Sequence, residues 1–367
     1  MMTPQRRMYV HVGCPKTGTT SLQSALWSDR DQLATQGLEM PLNGPGEHFY
    51  VALALRGMLD HSMDPPAAFE ILDRLGDEVR QIRSPRALLS HEVMAPAHED
   101  EVAQLLGLLS GFEVHIVITA RDLARQIPSG WQQRIKQRVQ QPYPEFAEAV
   151  LERSESARDF WINQDVSDIA ARWGHLVTPD RVHIVTVPAT EAPTKLLFER
   201  FCGVIGIDPS SLDIDAARDN RSLGAPQTEL LRRVNVALGD RLPHPRAGYG
   251  RVAKRHLANR VLAAQDGPAL GLPVHLRDRC RAVSTGMVNR LRGQGYDVVG
   301  DLAELIPAPV DAPGSAGDAH SVGTDAEIAE AAVQALADML EQRDRDLDRV
   351  QRLRSRLHSS PQGHGSM

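Results

Sequence analysis

Four short runs of mostly β-branched and other apolar residues interrupt an otherwise mixed chain, at 9–12, 87–90, 114–119 and 182–187. Their apolar character is continuous rather than alternating, which predicts parallel strands buried on both faces. Between them apolar residues recur at helical spacing, predicting helices over 19–33, 48–59, 67–82, 101–109, 123–139 and 166–173. Strands alternating with helices imply crossover connections, hence an α/β fold whose parallel central sheet carries helices on both faces. After Val187 the pattern turns mostly helical, over 194–205, 227–238, 252–264 and 276–291, and runs into Tyr296-Asp297-Val298-Val299. Residues 8–190 are thus expected as the α/β core and 191–306 as a mainly helical cap packed on it. The Pro-, Gly- and Ala-rich stretch 307–323 reads as a linker.

A last helix is predicted over 324–358, ahead of a disordered tail at 359–367. Val333, Leu340 and Leu347 repeat at seven, as do Leu336, Val350 and Leu357 with Arg343 interrupting. Such heptads can form a short coiled coil and a homodimer. The alternatives are one amphipathic helix lying on the body, or a charged helix in solvent.

With 367 residues, 42% hydrophobic and 24% charged, the chain suits an ordinary globular protein, and a net charge of −6 gives no case for nucleic acid or anionic lipid. Cys14, Cys202 and Cys280 are odd in number and far apart, which argues against a disulfide framework. The fourteen histidines show no metal-ligand spacing, so no metal site is expected. Arg6 and Arg7 precede an apolar run that Gly13 cuts short, too brief for a signal peptide, and no later run is long enough to span a membrane. A cytoplasmic protein is expected.

The first strand run is followed at once by Val12-Gly13-Cys14-Pro15-Lys16-Thr17-Gly18-Thr19-Thr20. A strand that turns through two glycines into a helix start leaves backbone N–H groups converging on one spot, where the helix dipole also favours negative charge. Gly13 and Gly18 keep the G-x-x-x-x-G spacing of a phosphate-binding loop. Thr19, however, occupies the place where a nucleotide triphosphatase carries lysine, and the loop's own lysine is Lys16. That displacement argues against ordinary ATP or GTP hydrolysis and sets the cation nearer a 5′-phosphate group than a γ-phosphate. The plainer alternative, a Gly-rich turn with a surface lysine, accounts less well for the strand before it and the amphipathic run after it. Cys14 reads as a small filler of the loop.

At Pro15-Lys16-Thr17-Gly18-Thr19-Thr20 the chain resembles the sulfotransferases that use 3′-phosphoadenosine-5′-phosphosulfate (PAPS), whose 5′-phosphosulfate loop reads P-K-T/S-G-T-T. A second motif agrees. The run at 114–119 ends in Ala120-Arg121-Asp122, and Ser129 stands eight residues after Arg121. An arginine just past a strand can fork onto phosphate oxygens, and in these enzymes the 3′-phosphate motif is an arginine followed eight residues later by a serine. The alternatives are an ion pair of Arg121 with Asp122 or Glu92, and a helix-surface hydroxyl for Ser129. Pro128 and Gly130 predict a bend in this helix. Arg125, Arg134, Lys136 and Arg138 give it a basic side, either a solvated face or a field that draws in a multiply charged donor.

Residues 185–188, and 197–201 with Gly206, are similar to the region bordering the adenine in bacterial sulfotransferases. Asn220-Arg221-Ser222-Leu223-Gly224 also looks like these enzymes, with Arg221 as a second 3′-phosphate contact. The arginine-lysine-glycine signature of the animal cytosolic branch is absent. The resemblance is to the bacterial branch and covers about residues 8–306. It implies a fold like that of the P-loop nucleoside triphosphate hydrolases, with PAPS as co-substrate and no required metal. It further implies donor-site residues Gly13, Pro15, Lys16, Thr17, Gly18, Thr19, Thr20, Ser21, Arg121, Ser129 and Arg221.

Sulfuryl transfer parallels phosphoryl transfer, with in-line attack and charge building on the leaving oxygen. Lys16 and the loop amides can clamp that charge. The acceptor needs a general base, and two regions qualify. One is Gly46-Glu47-His48, where glycan and protein sulfotransferases carry their catalytic His or Glu. The other is Ser90-His91-Glu92, at a strand end, where the cytosolic branch has its histidine. His48 is the first choice, with His91 or Glu92 as base or as orienter of Lys16; the plainer roles are a helix cap for His48 and arginine pairing for His91 or Glu92.

The acceptor is expected to be a hydroxyl or amine on a small molecule, glycan or glycolipid, since nothing in the helical half names it. Two other functions stay open. A nucleotide kinase-like phosphotransferase requires a lysine after Gly18 and a magnesium-holding aspartate. A non-catalytic nucleotide-binding protein would use the terminal helix to dimerise.

Overall fold

Alternate residues of the central strands are buried to both sides. Tyr9, Leu88, Val117 and Val185 face one way, Val10, Leu89, Ile116 and Ile184 the other, and all are in the core. Such strands need cover on both faces. In the computed structural model, which describes residues 5–189, 192–193, 195–213, 222–242, 248–309 and 322–359, the chain runs β1 (Arg7–His11), α1 (Thr19–Ser28), α2 (Arg30–Thr35), β2 (Leu38–Glu39), α3 (Pro45–Leu55), α4 (Ile71–Gln81), β3 (Arg86–Ser90), α5 (Glu99–Leu108) and β4 (Glu113–Ala120). It continues through α6 (Leu123–Ile135), α7 (Tyr143–Glu152), α8 (Arg158–Gln164), α9 (Val166–Gly174), β5 (Val182–Thr186), α10 (Lys195–Ile205), α11 (Ala225–Leu238), α12 (Arg277–Leu291), β6 (Asp297–Val299) and α13 (Asp325–Ser359).

The six strands form one sheet in the order β2-β3-β1-β4-β5-β6, every pairing parallel. The chain leaves β1 toward β2 on one side and leaves β3 toward β4 on the other. The carboxyl ends of β1, β3 and β4 therefore flank the switch point, where ligands of open α/β sheets bind. One face packs on α1, α2 and α10 through Leu22, Leu26, Leu33, Phe198, Phe201 and Ile205, and burial of each such side chain contributes about 1.5–3 kcal/mol. On the other face α9 lies against β4.

The four expected strands are all present. The edge strands β2 and β6 have two and three residues, too few to register as a period. β6 is held by a polar ladder on one face, Glu113–His115–His183–Asp297, with successive contacts of 2.9, 2.8 and 2.6 Å. The helix expected over 19–33 is two helices, broken at Asp29, and the one expected over 123–139 ends at Ile135. The helix expected over 252–264 is a π-helical stretch, Gly250–Val261, closed by a 3-10 turn.

The chain divides into two compact units. The first comprises Met1–Gln133, Gln141–Arg221 and Gly271–Ala319, and so contains the whole sheet; α12 and β6, which the hydrophobic pattern groups with the cap, belong to it. The second comprises Arg134–Gln140, Ser222–Leu270 and His320–Met367. Within the second, Asn235 donates to the Ile135 carbonyl (2.8 Å) and accepts from the Tyr249 hydroxyl (2.6 Å), and Asp325 pairs with Arg233 (2.7 Å). α13 buries Ile328, Ala331 and Ala335 near its start, whereas Val333, Leu336, Leu340, Leu347 and Val350 are exposed. Most of the expected linker and tail, 310–321 and 360–367, lies outside the described residues. Among the described residues no helix is long and apolar enough to cross a membrane.

Candidate functional site

Beyond His11 the chain keeps pairing with β4 for three residues: the Val12 N–H reaches the Val117 carbonyl (3.0 Å) and the Cys14 N–H the Thr119 carbonyl (2.6 Å). It then turns through left-handed conformations at Gly13 (φ 80°), Lys16 (φ 68°) and Gly18 (φ 87°). For Lys16 this is an unusual conformation, of a kind that gathers at ligand-binding sites. Both glycines meet the positive φ, and Gly13 is required sterically as well, since a Cβ there would lie 2.8 Å from Cβ of Glu92 and 3.2 Å from its Cα; at Gly18 a Cβ would meet only the end of the Leu197 side chain, at 2.9 Å. α1 starts at Gly18 with no side chain capping it, the condition under which a helix start attracts an anion.

The loop rests on a buried polar bed built from three strand ends. Thr17 is 1% exposed; its hydroxyl donates to the Cys14 carbonyl (2.6 Å) and meets the Thr119 hydroxyl at 2.6 Å. Thr119 contacts Nε2 of His11 (3.2 Å), and Nδ1 of His11 contacts the Ser90 hydroxyl (2.8 Å). Burial lowers the His11 pKa to about 4, so the ring is neutral. The Thr17 hydroxyl therefore braces the loop from within. Cys14 is buried too, and burial raises its pKa to about 12.

Arg121 follows β4 directly. Its Nε and one terminal nitrogen donate to Oε1 of Gln126 (3.1 and 2.7 Å), and it also donates to the Arg125 carbonyl (3.0 Å). Asp122, one of the two alternative ion-pair partners, is taken by Arg125 instead. Among the described residues no carboxylate pairs with Arg121, whose pKa falls to about 10, through burial first and the Arg125 charge next. Asp122 attracts this half-buried cation without pairing with it directly, and an anion that met the guanidinium would stabilise it further. The other end of Gln126 reaches the loop, since its Nε2 donates to the Pro15 carbonyl (3.1 Å) and to Gln164 (2.7 Å), and Gln164 also donates to Pro15 (3.1 Å). The structure thus joins Arg121 to the residue preceding Lys16 through one side chain. Ser129 lies three residues beyond Gln126, on the same face of α6. That helix is continuous through Pro128, and the ring of Phe160 occupies the space a Cβ at Gly130 would need, at 2.9 Å.

The candidate bases divide sharply. His48 is fully buried. Its Nδ1 accepts from the Ser90 N–H (3.2 Å), which leaves Nε2 to donate to the Pro41 carbonyl (2.9 Å). With both nitrogens committed to backbone, and its pKa lowered to about 4 chiefly by burial, His48 has no lone pair to offer a substrate. The expectation that His48 is the base is corrected: it staples the 41–48 segment to the end of β3. His91 accepts the Val93 N–H on Nδ1 (3.1 Å), so the neutral ring carries its proton on Nε2 and can donate there but not accept. Glu92 alone presents a carboxylate. Its Oε2 accepts from Gln23 (3.0 Å), its side chain is 22% exposed, and its stem packs against Gly13.

Of the other expected contacts, Thr19 is buried, Ser21 half-buried and Thr20 exposed at the start of α1. Arg221 lies outside the described residues. In the segment expected beside the adenine, Phe198 and Phe201 are core residues, and Arg200 pairs with Glu304 (2.7 Å). The basic side of the 121–138 region is spent internally: Arg125 on Asp122 and the Val187 and Pro188 carbonyls, Lys136 on Asn259, and Arg138 on the Gly239 and Leu242 carbonyls. Gln23, Gln126 and Gln164 went unmarked in the sequence, because nothing in the spacing of a glutamine signals what it will touch.

A cavity of about 780 Å³ beside Arg153, Trp161, Asp165 and Arg290 lies elsewhere on the sheet unit, and none of the expected donor-site residues lines it. Its three arginines are balanced by three carboxylates of the lining, Glu155, Asp165 and Asp168: Asp165 holds Arg153 and Arg290 at 2.8 and 2.9 Å, and Glu155 holds Arg158 at 3.2 Å. The loop and Arg121 are therefore the stronger anion site. Among the described residues no group of three or more His, Cys, Asp or Glu is disposed to hold a metal. No family model, no curated protein and no solved structure matches this chain.

Proposed function

We propose that the chain is a PAPS-dependent sulfotransferase with a fold of the P-loop nucleoside triphosphate hydrolase type. The observation that carries this reading is Arg121, a half-buried guanidinium held by an amide and connected through it to the loop that contains Lys16. One cation within the strand-to-helix loop and a second at the end of the adjacent strand suit a nucleotide phosphorylated at both ends of its ribose. PAPS, as co-substrate, supplies the sulfuryl group.

On this reading the loop amides and Lys16 hold the 5′ end and neutralise charge on the leaving phosphate, a kind of contribution typically worth about 10²–10³-fold in rate. Arg121 and Ser129 hold the 3′-phosphate, with Arg221 as a further contact. Glu92 accepts the proton of the acceptor hydroxyl or amine as the new O–S or N–S bond forms and the bond from sulfur to the leaving phosphate oxygen breaks. His91 donates from Nε2 to an acceptor oxygen. The acceptor is a small molecule, glycan or glycolipid. The exposed heptad positions of α13 support self-association through that helix, in a cytoplasmic enzyme.

The test is thermal stabilisation. 3′-Phosphoadenosine-5′-phosphate should raise Tm, and ATP with magnesium should not, because only a ligand bound to the folded state stabilises it. Arg121→Ala should lose most of that shift while keeping its own fold. Equal shifts from both nucleotides would favour a phosphotransferase instead, and no shift from either would end the reading.

A further inference from the structure

The partner of Arg121 is chemically unusual. An arginine at the end of a strand is most simply oriented by a carboxylate, and Asp122 is adjacent, yet Asp122 is engaged by Arg125. The guanidinium is fixed instead by Oε1 of Gln126, through two nitrogens at 3.1 and 2.7 Å. Gln126 is 1% exposed, and its amide nitrogen bridges to the Pro15 carbonyl and to Gln164. A glutamate has the same length and could hold Arg121 at the same distance. It would also cancel the positive charge and set a carboxylate oxygen against the Pro15 carbonyl.

We propose that Gln126 is a charge-preserving positioning residue: it orients Arg121 and ties it to the loop while leaving its positive charge for the phosphate of the nucleotide. This rests on the sulfotransferase reading and extends it to a side chain that touches no substrate. The amide supplies geometry without charge, and the two properties can be separated by substitution. Gln126→Glu keeps an oxygen acceptor for Arg121 and adds a negative charge. Gln126→Met keeps the volume and the charge balance but leaves Arg121 with the Arg125 carbonyl alone and Pro15 with Gln164 alone.

The experiment titrates the full-length wild type and both variants with 3′-phosphoadenosine-5′-phosphate and with adenosine 5′-monophosphate, by calorimetry, alongside Tm without ligand. For Gln126→Glu we expect a loss of affinity of about 30-fold or more for the bisphosphate, with less than about threefold for the monophosphate, and a Tm near that of the wild type, the new ion pair with Arg121 offsetting the repulsion from the Pro15 carbonyl. For Gln126→Met we expect the reverse ranking: a lower Tm, from the unmet hydrogen bonds of Arg121, and only about a three- to tenfold loss of bisphosphate affinity. A bracket that served stability alone would make affinity follow Tm, so tighter bisphosphate binding by Gln126→Glu than by Gln126→Met overturns the proposal. Equal weakening of both nucleotides by Gln126→Glu overturns it as well, since the effect would then not lie at the 3′ end. A wild type that binds neither nucleotide removes the sulfotransferase reading, and this inference with it.

Discussion

His48 and Glu92 show why residue identity and residue role part company. Both stand where a base is expected, and histidine is by its chemistry the better candidate near neutral pH. Their surroundings reverse the order: His48 accepts a backbone N–H, donates to a backbone carbonyl and is sealed from solvent, whereas Glu92 keeps a partly exposed carboxylate beside the loop. If Glu92 takes the acceptor's proton, Glu92→Gln should reduce kcat by about 10²–10⁴-fold while leaving 3′-phosphoadenosine-5′-phosphate affinity within about threefold, since Gln23 can satisfy an amide as it does a carboxylate. Calorimetry and steady-state kinetics on one preparation would check it; an unchanged kcat would remove Glu92 from the chemistry. The loop glycines, Lys16 and Arg121 could be read directly from the sequence because local spacing dictates where they fall. The fates of His48, Thr17 and Gln126 could not, because each depends on a partner far away in the chain: Ser90 for His48, Thr119 for Thr17, Pro15 for Gln126.

At the scale of elements, the long buried strands were legible and the short ones were not. β1, β3, β4 and β5 announce themselves by continuous apolar runs, whereas β2 and β6 are too short to do so and owe their place to neighbours already in the sheet. At the site Gly13, after β1, lies so close to Glu92, after β3, that a Cβ added at Gly13 would stand 2.8 Å from Cβ of Glu92. Gly13→Ala should therefore act twice. The positive φ and the 2.8 Å approach should together cost about 1–3 kcal/mol, read as a lower midpoint in denaturant unfolding. Displacement of Glu92 should lower kcat further than that loss of stability explains. An alanine variant with wild-type midpoint and kcat would show that the approach is not needed.

For the molecule as a whole, α13 sets the expected state of association. Val333, Leu340 and Leu347 sit at one heptad position and Leu336 and Val350 at another, all exposed, along a 35-residue helix. A seam repeating at seven can be covered by a second helix, and a second copy of the chain would bring one with the same repeat. Leu340→Asp should convert a dimer to a monomer in sedimentation without altering nucleotide affinity; a wild type that sediments as a monomer would assign the seam to another role. The bed beneath the loop has a consequence of a different sort. Thr17, Thr119, His11 and Ser90 lock one another without any help from a ligand, so the entropy of shaping the cradle is spent while the chain folds. A nucleotide bound there as proposed would find its receptor already set, and capture should be governed by encounter and desolvation rather than by rearrangement of the protein.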